Sequence, residues 1–430
     1  MTNPEIGFTS DVIRDPKRFV GRADLVRKLV NAVNSPLNLV AIYGKRGVGK
    51  SSLARQLQQI ALGDYSLLKH ANLLHIVPEK PRKYLTVYYT CDSIICDVKD
   101  LLQRLLNDQN QEDGLLRLVP DDGKELVEFS RVEELSGGVD LKLVNWGTKG
   151  IESNKYAKVV ENDVVQTFRN YVNAVVTHQV KGRMKRDGLL IILDEFDVLQ
   201  NKEGIGSLIK SLSSDTVKFA ICGIGNDLMD LVADHNSVER LMEEGALRVG
   251  KMDFYESKQI IERAHNLFKG EITFSDTVIN AIAADSQGYP YLVQLLGKEC
   301  VHKANSKGVY HIDGTIYSEV KDDIRKGNTF PTLESQYQRA IGDSEGRRQL
   351  LYILASQEEG HALFNEELGK IALKKVRKDA ELLSVEYIDQ LLPRLIDKKF
   401  GPVLTKSEER QGIYEFVNPI FRIYCQLREL

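Results

Sequence analysis

The chain has 430 residues, 42% of them hydrophobic and 28% charged, with a formal net charge of −3. That length buries a large core and predicts two or three domains, while the near-neutral balance excludes a protein drawn to nucleic acid by its overall field; DNA would have to meet a local basic patch. No apolar run approaches the roughly 20 residues of a membrane helix, and Met1-Thr-Asn-Pro-Glu5 lacks the basic-then-apolar order of a signal peptide.

A cytoplasmic location without membrane contact is therefore expected. The cysteines, Cys91, Cys96, Cys222, Cys300 and Cys425, are odd in number and show no metal-site pairing with histidine, so buried free thiols are expected, with neither disulfide nor zinc.

Residues 1–18 are polar and carry Pro4 and Pro16, which predicts an extended lead-in. Phe19-Val-Gly-Arg22 then stands before a helical pattern of Leu25, Leu29, Val30 and Val33. Next comes Leu39-Val-Ala-Ile-Tyr-Gly-Lys-Arg-Gly-Val-Gly-Lys-Ser-Ser-Leu-Ala54, an apolar strand running into a glycine-rich turn and a helix. The G-x-x-x-x-G-K-[ST] pattern occurs by chance in glycine-containing loops, but here it has the strand–loop–helix setting that a phosphate-binding loop needs. Gly44, Gly47 and Gly49 let successive N–H groups turn inward, and the helix opening at Lys50 adds the positive end of its dipole. A triphosphate fits that cradle: Lys50 would reach its β- and γ-phosphates, and the Ser51 hydroxyl would be one ligand of Mg²⁺. Val48 and Ser52 complete the set of candidate nucleotide contacts.

Tyr84-Leu-Thr-Val-Tyr-Tyr-Thr90 has the composition of a second core strand, and residues 95–107 read as helix. From about 114 to 158 short alternating runs with glycines predict an inserted hairpin carrying the only tryptophan, Trp146; it is either a solvent-facing embellishment or a partner contact. Asp163–Val180 resumes helical spacing. Leu189-Leu-Ile-Ile-Leu-Asp-Glu-Phe-Asp197 is a strand buried on both faces that ends in carboxylates, where open α/β sheets place ligands. A surface turn with three acids is the bland alternative. The functional reading gives Asp194 to Mg²⁺, directly or through water, and makes Glu195 the base that orients the attacking water. Val217–Gly223 is a further strand leading to Asn226, and Ala246–Val249 a fifth one preceded by Arg240.

Beyond Asp253 the spacing is helical over Tyr255–Leu267, Ser275–Ala284 and Gly288–Asn305. The last hundred residues read as helices at Ser344–Glu358, Asn365–Arg377 and Ser384–Lys399, two short strands at 401–404 and 412–416, and a closing helix at Asn418–Leu430. That order is a winged helix. Such modules lay their third helix in the major groove. Here residues 343–430 hold 14 Lys+Arg against 15 Asp+Glu, a net of −1, and the third helix carries Glu386 and Asp389 as well as Arg394. Only Lys374-Lys-Val-Arg-Lys378 is a basic candidate, so DNA is a possible partner that charge does not favour.

These motifs together resemble prokaryotic ATPases of the AAA+/STAND group, related to the origin-recognition-like ATPases. The resemblance implies an α/β P-loop core of ASCE type with a parallel sheet, a helical lid and a C-terminal winged helix. The corresponding boundaries are a lead-in at 1–18, the core at 19–252 with its insertion at 114–158, the lid at 253–330 and the winged helix at 331–430. It also implies that the backbone of Val20 and Gly21 packs beside the adenine, that Asn226 is the polar sensor between base and γ-phosphate, and that Arg240 is an arginine finger reaching a neighbour's γ-phosphate. Arg248 is a second finger candidate. From the residues alone, Asn226 reads as an ordinary turn residue and Arg240 as a solvated helix end. In Gly288-Tyr-Pro290, Pro290 is at home at a helix start; the resemblance makes it a lid proline packed near the nucleotide. No arginine stands in Gln287–Gly297, where the initiator branch carries a second sensor. The family implies ATP and ADP as ligands, homo-oligomer formation and a protein effector. Three uses stay open: a defence or signalling switch, a DNA-associated loader or transposition regulator, and a nucleotide-holding scaffold.

Overall fold

The computed structural model describes residues 1–36, 39–107, 114–118, 130–135, 138–143, 164–225, 231–232, 245–357, 362–363, 385–406 and 413–429. Trp146, Asn226, Arg240, the Lys374–Lys378 cluster and the helix expected over 365–377 lie outside them. Two compact units form, one of residues 13–45 and 50–250, the other of residues 1–12, 46–49 and 251–430.

The first unit is built on apolar runs too continuous to leave a face in water. Strands β1 (Leu39–Gly44), β2 (Tyr84–Thr90), β5 (Gly188–Asp194), β6 (Val217–Ile224) and β7 (Ala246–Arg248) form one parallel sheet in the order β2-β5-β6-β1-β7. All seven residues of β5 are buried, as expected of a central strand covered on both faces. Numbered by their place among the five core strands, the order is 2-3-4-1-5, so β1 lies inside the sheet, between β6 and β7, rather than at its edge. Helices α1 (Ala23–Asn34), α2 (Lys50–Leu62), α3 (Ser66–His70), α4 (Val98–Asn107), α5 (Val164–Ala174) and α6 (Ile205–Leu212) accompany it. The inserted segment contains an antiparallel hairpin of β3 (Ser130–Leu135) and β4 (Gly138–Leu143), registered from Ser130↔Leu143 to Leu135↔Gly138.

One buried cation belongs to this scaffold. Lys218 on β6 is 2% exposed, and its Nζ donates to the carbonyls of Ala32 at 2.9 Å and Val33 at 3.4 Å and to that of Ser35. It thus closes the C-terminus of α1, whose last carbonyls have no partner within the helix.

The second unit contains helices α7 (Phe254–Leu267), α8 (Asp276–Asp285), α9 (Pro290–Lys307), α10 (Gly314–Arg325), α11 (Pro331–Ile341), α12 (Glu345–Ala355), α13 (Val385–Ile396) and α14 (Pro419–Arg428). A short parallel pair joins β8 (Thr273–Phe274) to β9 (His311–Ile312). Near the C-terminus β10 (Ala362–Leu363), β12 (Ile413–Phe416) and β11 (Leu404–Lys406) form an antiparallel sheet in that order; the first of these strands was not expected from the sequence.

The N-terminal segment departs from the extended lead-in expected of it. Pro4–Ile6 forms a 3₁₀ turn and Phe8 is fully buried, its ring 6.0 Å from that of Phe268 and 5.7 Å from that of Phe274. Gly297 makes room for it, since a Cβ there would lie 2.3 Å from the Phe8 ring. Thr2 and Asn305 exchange two hydrogen bonds, and the Thr9 N–H donates to Gln294 at 2.9 Å, so the segment runs along α9. Low hydrophobicity concealed this because a single aromatic side chain anchors the stretch. The cysteines also differ in one respect: all five are free thiols, but Cys96 is exposed.

Lys218→Met is expected to lower stability by about 1–3 kcal/mol at pH 7, because the α1 carbonyls lose their donor. Burial pushes the Lys218 pKa from 10.5 down to about 8. Between those values the unfolded chain holds the proton that the folded one has released, so wild-type stability rises with pH. Urea unfolding should show the wild-type advantage over Lys218→Met widening from pH 8 to 10; a constant gap contradicts this.

Candidate functional site

The loop between β1 and α2 is shaped by three glycines at positive φ, Gly44 at 151°, Gly47 at 79° and Gly49 at 94°. These values place the turn in backbone regions that side chains avoid and direct it into a 13-residue helix beginning at Lys50. Lys50 is 9% exposed, and its ammonium donates to the Lys45 carbonyl of its own loop at 2.9 Å. Gly225, just past the end of β6, donates to the Gly44 carbonyl at 3.4 Å. The loop tip, residues 46–49, belongs to the second unit. There the Tyr291 N–H approaches the Gly47 carbonyl at 3.4 Å, and a Cβ on Gly49 would lie 3.7 Å from Pro290 Cγ, an ordinary contact distance.

Asp194 ends β5 with a carboxylate only 3% exposed. Its Oδ1 accepts from Ser51 Oγ at 3.1 Å and from the Glu195 N–H at 2.9 Å, and its Oδ2 accepts from the Tyr88 hydroxyl at 2.6 Å. The Tyr88 hydroxyl is a donor here: burial first, then the Asp194 charge, push its pKa up. Fully buried Cys222 faces the same carboxylate from β6, and burial likewise drives its thiol upward. Burial also pushes Cys91, just beyond β2, up to about 12, so neither thiol is a nucleophile at neutral pH. Glu195 adopts a left-handed conformation, φ 53° and ψ 35°, with its side chain exposed immediately after the buried aspartate. Asp197 Oδ1 accepts the Ile224 N–H at 2.7 Å and so ties the turn after β5 to the end of β6.

The donor set suits a magnesium nucleotide. A buried ammonium follows a glycine-turned backbone at a helix N-terminus, and a hydroxyl meets a buried carboxylate across two elements. Residues 18–218 match the AAA ATPase domain family. This segment is an AAA+ P-loop ATPase domain. Solved structures similar to the chain include a Walker-type ATPase of Pyrococcus abyssi, with 14% identity, 97% of this chain and 99% of that one covered, and a TM-score of 0.47. Cdc6p from Pyrobaculum aerophilum aligns at 12% identity over 99% of this chain and 98% of that one, with a TM-score of 0.43. The Aeropyrum pernix Orc1 protein in complex with DNA aligns at 14% identity over 97% and 93%, also at 0.43. No curated protein sequence matches the chain.

Within the AAA+ domain, Ser51, Asp194 and the Glu195 backbone come together, and Lys50 opens the same helix as Ser51. Val20 and Gly21 precede α1 in a turn whose last two residues, Gly21 and Arg22, are both left-handed; Arg22 Nη2 donates to the Gly250 carbonyl at 2.7 Å and holds that turn beside the chain leaving β7. Val48 is buried, and Ser52 Oγ accepts the Ile13 N–H at 3.0 Å, which gives that hydroxyl a role in fastening the N-terminal approach. Arg248 is exposed on β7. Sequence reading passed over Tyr88, Arg55 and Asp197. The signal for Tyr88 was its place in strand β2, whose Thr90 is registered against Asp194.

Gly47→Ala meets two obstacles, the positive φ and a Cβ that would lie 2.9 Å from Ile420 Cδ1. It is expected to cost about 1–2 kcal/mol in denaturant unfolding and to weaken ATP binding at least tenfold. Wild-type values for both would contradict the geometry.

Proposed function

We propose that the protein is a magnesium-dependent ATPase that acts as a molecular switch, with its nucleotide state controlling assembly and the activation of a protein effector. The observation that carries the ATPase reading is the meeting of Ser51 Oγ with the buried Asp194 carboxylate beside the glycine loop. In this reading Gly44, Gly47, Val48, Gly49, Lys50, Ser51 and Ser52 cradle the phosphates, the backbone of Val20 and Gly21 lies beside the adenine, and Pro290 is the lid proline near the nucleotide. Ser51 and Asp194 hold Mg²⁺, which when bound neutralises phosphate charge and orients the oxygens of the transferred group. Glu195 accepts hydrogen bonds from the attacking water and aligns it; the exposed position of its side chain at the strand end allows access from solvent. Asn226 senses the γ-phosphate, and Arg240 of a neighbouring copy stabilises charge on the transferring group.

Residues 331–430 are read as a winged helix used for protein contact or packing, because their charge balance gives duplex DNA little to hold. A defence or signalling setting fits a chain whose motifs supply nucleotide chemistry and no effector reaction of their own.

Lys50→Ala should weaken ATP binding more than tenfold, and Glu195→Gln should retain binding while lowering turnover about 100-fold. Both are read by equilibrium binding and phosphate release; wild-type turnover in Glu195→Gln would remove Glu195 from the mechanism. The switch itself is tested by the solution mass of Glu195→Gln with Mg-ATP, with ADP and with neither, each with and without a short duplex. An ATP-dependent oligomer without DNA is expected. A mass that responds only to duplex would replace this reading with a DNA-associated one.

A further inference from the structure

Two side chains behind Asp194 have no place in the phosphate-loop motif, yet they decide how its carboxylate is turned. A carboxylate rotates broadly about its terminal torsion, so the donors around it select which oxygen faces which way. Here the donors are divided. Ser51 Oγ and the Glu195 N–H lie on Oδ1, whereas Tyr88, 2% exposed and on the strand next to β5, places its hydroxyl 2.6 Å from Oδ2.

The tyrosine ring is itself held. The Arg55 guanidinium lies over its face at 3.4 Å from the centroid. Arg55 donates to Gln58 Oε1 at 3.0 Å, and the Gln58 amide donates to Thr86 Oγ1 at 3.3 Å, two residues before Tyr88 on β2. Arg55 is 9% exposed and belongs to α2, the helix that also presents Ser51, so one helix carries both the brace and the loop hydroxyl. A planar guanidinium suits this stacking, and an ammonium does not reproduce it.

We propose that Tyr88, braced by Arg55, is the positioning residue that turns Asp194 so that Oδ1, together with Ser51 Oγ, is offered to a divalent cation. The proposal rests on the reading that Ser51 and Asp194 hold Mg²⁺. Without the hydroxyl, Oδ2 loses its phenolic donor, and the carboxylate turns toward the donors that remain, Ser51 Oγ and the Glu195 N–H on Oδ1 and the weak Cys222 thiol. Its cost then falls on metal binding, while the loop that meets the phosphates keeps its shape. Outer partners of metal ligands typically contribute 10–100-fold to metal affinity; a neutral phenol on a carboxylate that keeps its other donors belongs at or below the lower end.

The test uses the full chain and a fluorescent ATP analogue. Binding is measured in EDTA and then as a function of added MgCl₂ for the wild type, Tyr88→Phe, Arg55→Lys and Asp194→Asn, with thermal unfolding recorded for each. For Tyr88→Phe, binding in EDTA should stay within about twofold of wild type while the Mg²⁺ midpoint rises about 3–10-fold. Arg55→Lys should move the midpoint in the same direction by less, and it carries the test alone if Tyr88→Phe does not fold. A folded Tyr88→Phe with an unchanged midpoint overturns the proposal. So does an equal loss of binding with and without Mg²⁺, which marks a merely structural tyrosine. An Asp194→Asn protein with an unchanged midpoint would instead overturn the magnesium assignment on which the proposal stands.

Discussion

A carboxylate removed from water has to be met by donors, and at Asp194 that requirement reaches across much of the AAA+ domain. Leaving one such group buried and unpaired costs several kcal/mol, so the elements that satisfy it are constrained together. Tyr88 approaches from β2, Ser51 from α2 and the Glu195 N–H from the following turn. The strand order β2-β5-β6 places one neighbour on each side of β5, with Tyr88 contributed from one and Cys222 from the other. The interior position of β1 then sets the glycine loop and α2 beside the end of β6, as the Gly225–Gly44 hydrogen bond records. Sheet order, loop and carboxylate are thus one arrangement, and none of them is a free choice once the others are made.

The second unit is held in a different manner. To its apolar packing it adds polar side chains that bridge distant parts of the sequence. Gln287, left-handed just before the Gly288-Tyr-Pro turn, accepts from Arg422 Nη1 at 3.0 Å and donates to Gln426, both on α14. Arg428 reaches Glu334 on α11 at 3.1 Å, and Arg325 pairs with Glu429 at 2.8 Å. Gly288 has φ 82°, and a Cβ there would lie 2.3 Å from the Met252 carbonyl, so the turn before Pro290 admits no side chain. The proline position is consequently set from both sides, by this glycine turn and by the helix it begins.

The elements with continuous or strictly periodic hydrophobicity were legible from the residues. The run over 189–194, the strand over 84–90 and the helix after the phosphate loop occur where the pattern placed them, because burial on both faces leaves little alternative. The placement of the motif residues was legible too: Lys50 and Ser51 open α2 and Asp194 ends β5, set there by local turn geometry and by the end of a buried strand. The partners of Asp194 were hidden for a physical reason. Tyr88 has the composition of any strand tyrosine, and only the pairing of β2 with β5, which joins residues more than a hundred positions apart, reveals that its hydroxyl has a carboxylate to meet. Lys218 was hidden likewise, since a lysine in an apolar strand reads as a flaw until the end of α1 is seen against it. The packing of Phe8 depends on one glycine 289 positions away, beyond the reach of any periodicity.

That same notch at Gly297 bears on the order in which the chain folds. Almost all of the first unit is drawn from one stretch, so its contacts become available as soon as that stretch has been synthesised. The second unit needs residues 1–12 to wait for α9, made well over two hundred residues later. At about 5–20 residues per second this leaves Phe8 without its cavity for at least ten seconds, during which a greasy ring on a polar tether stays available to chaperones. The early segment therefore serves as a late clasp, closing on the second unit only once α9 has been made.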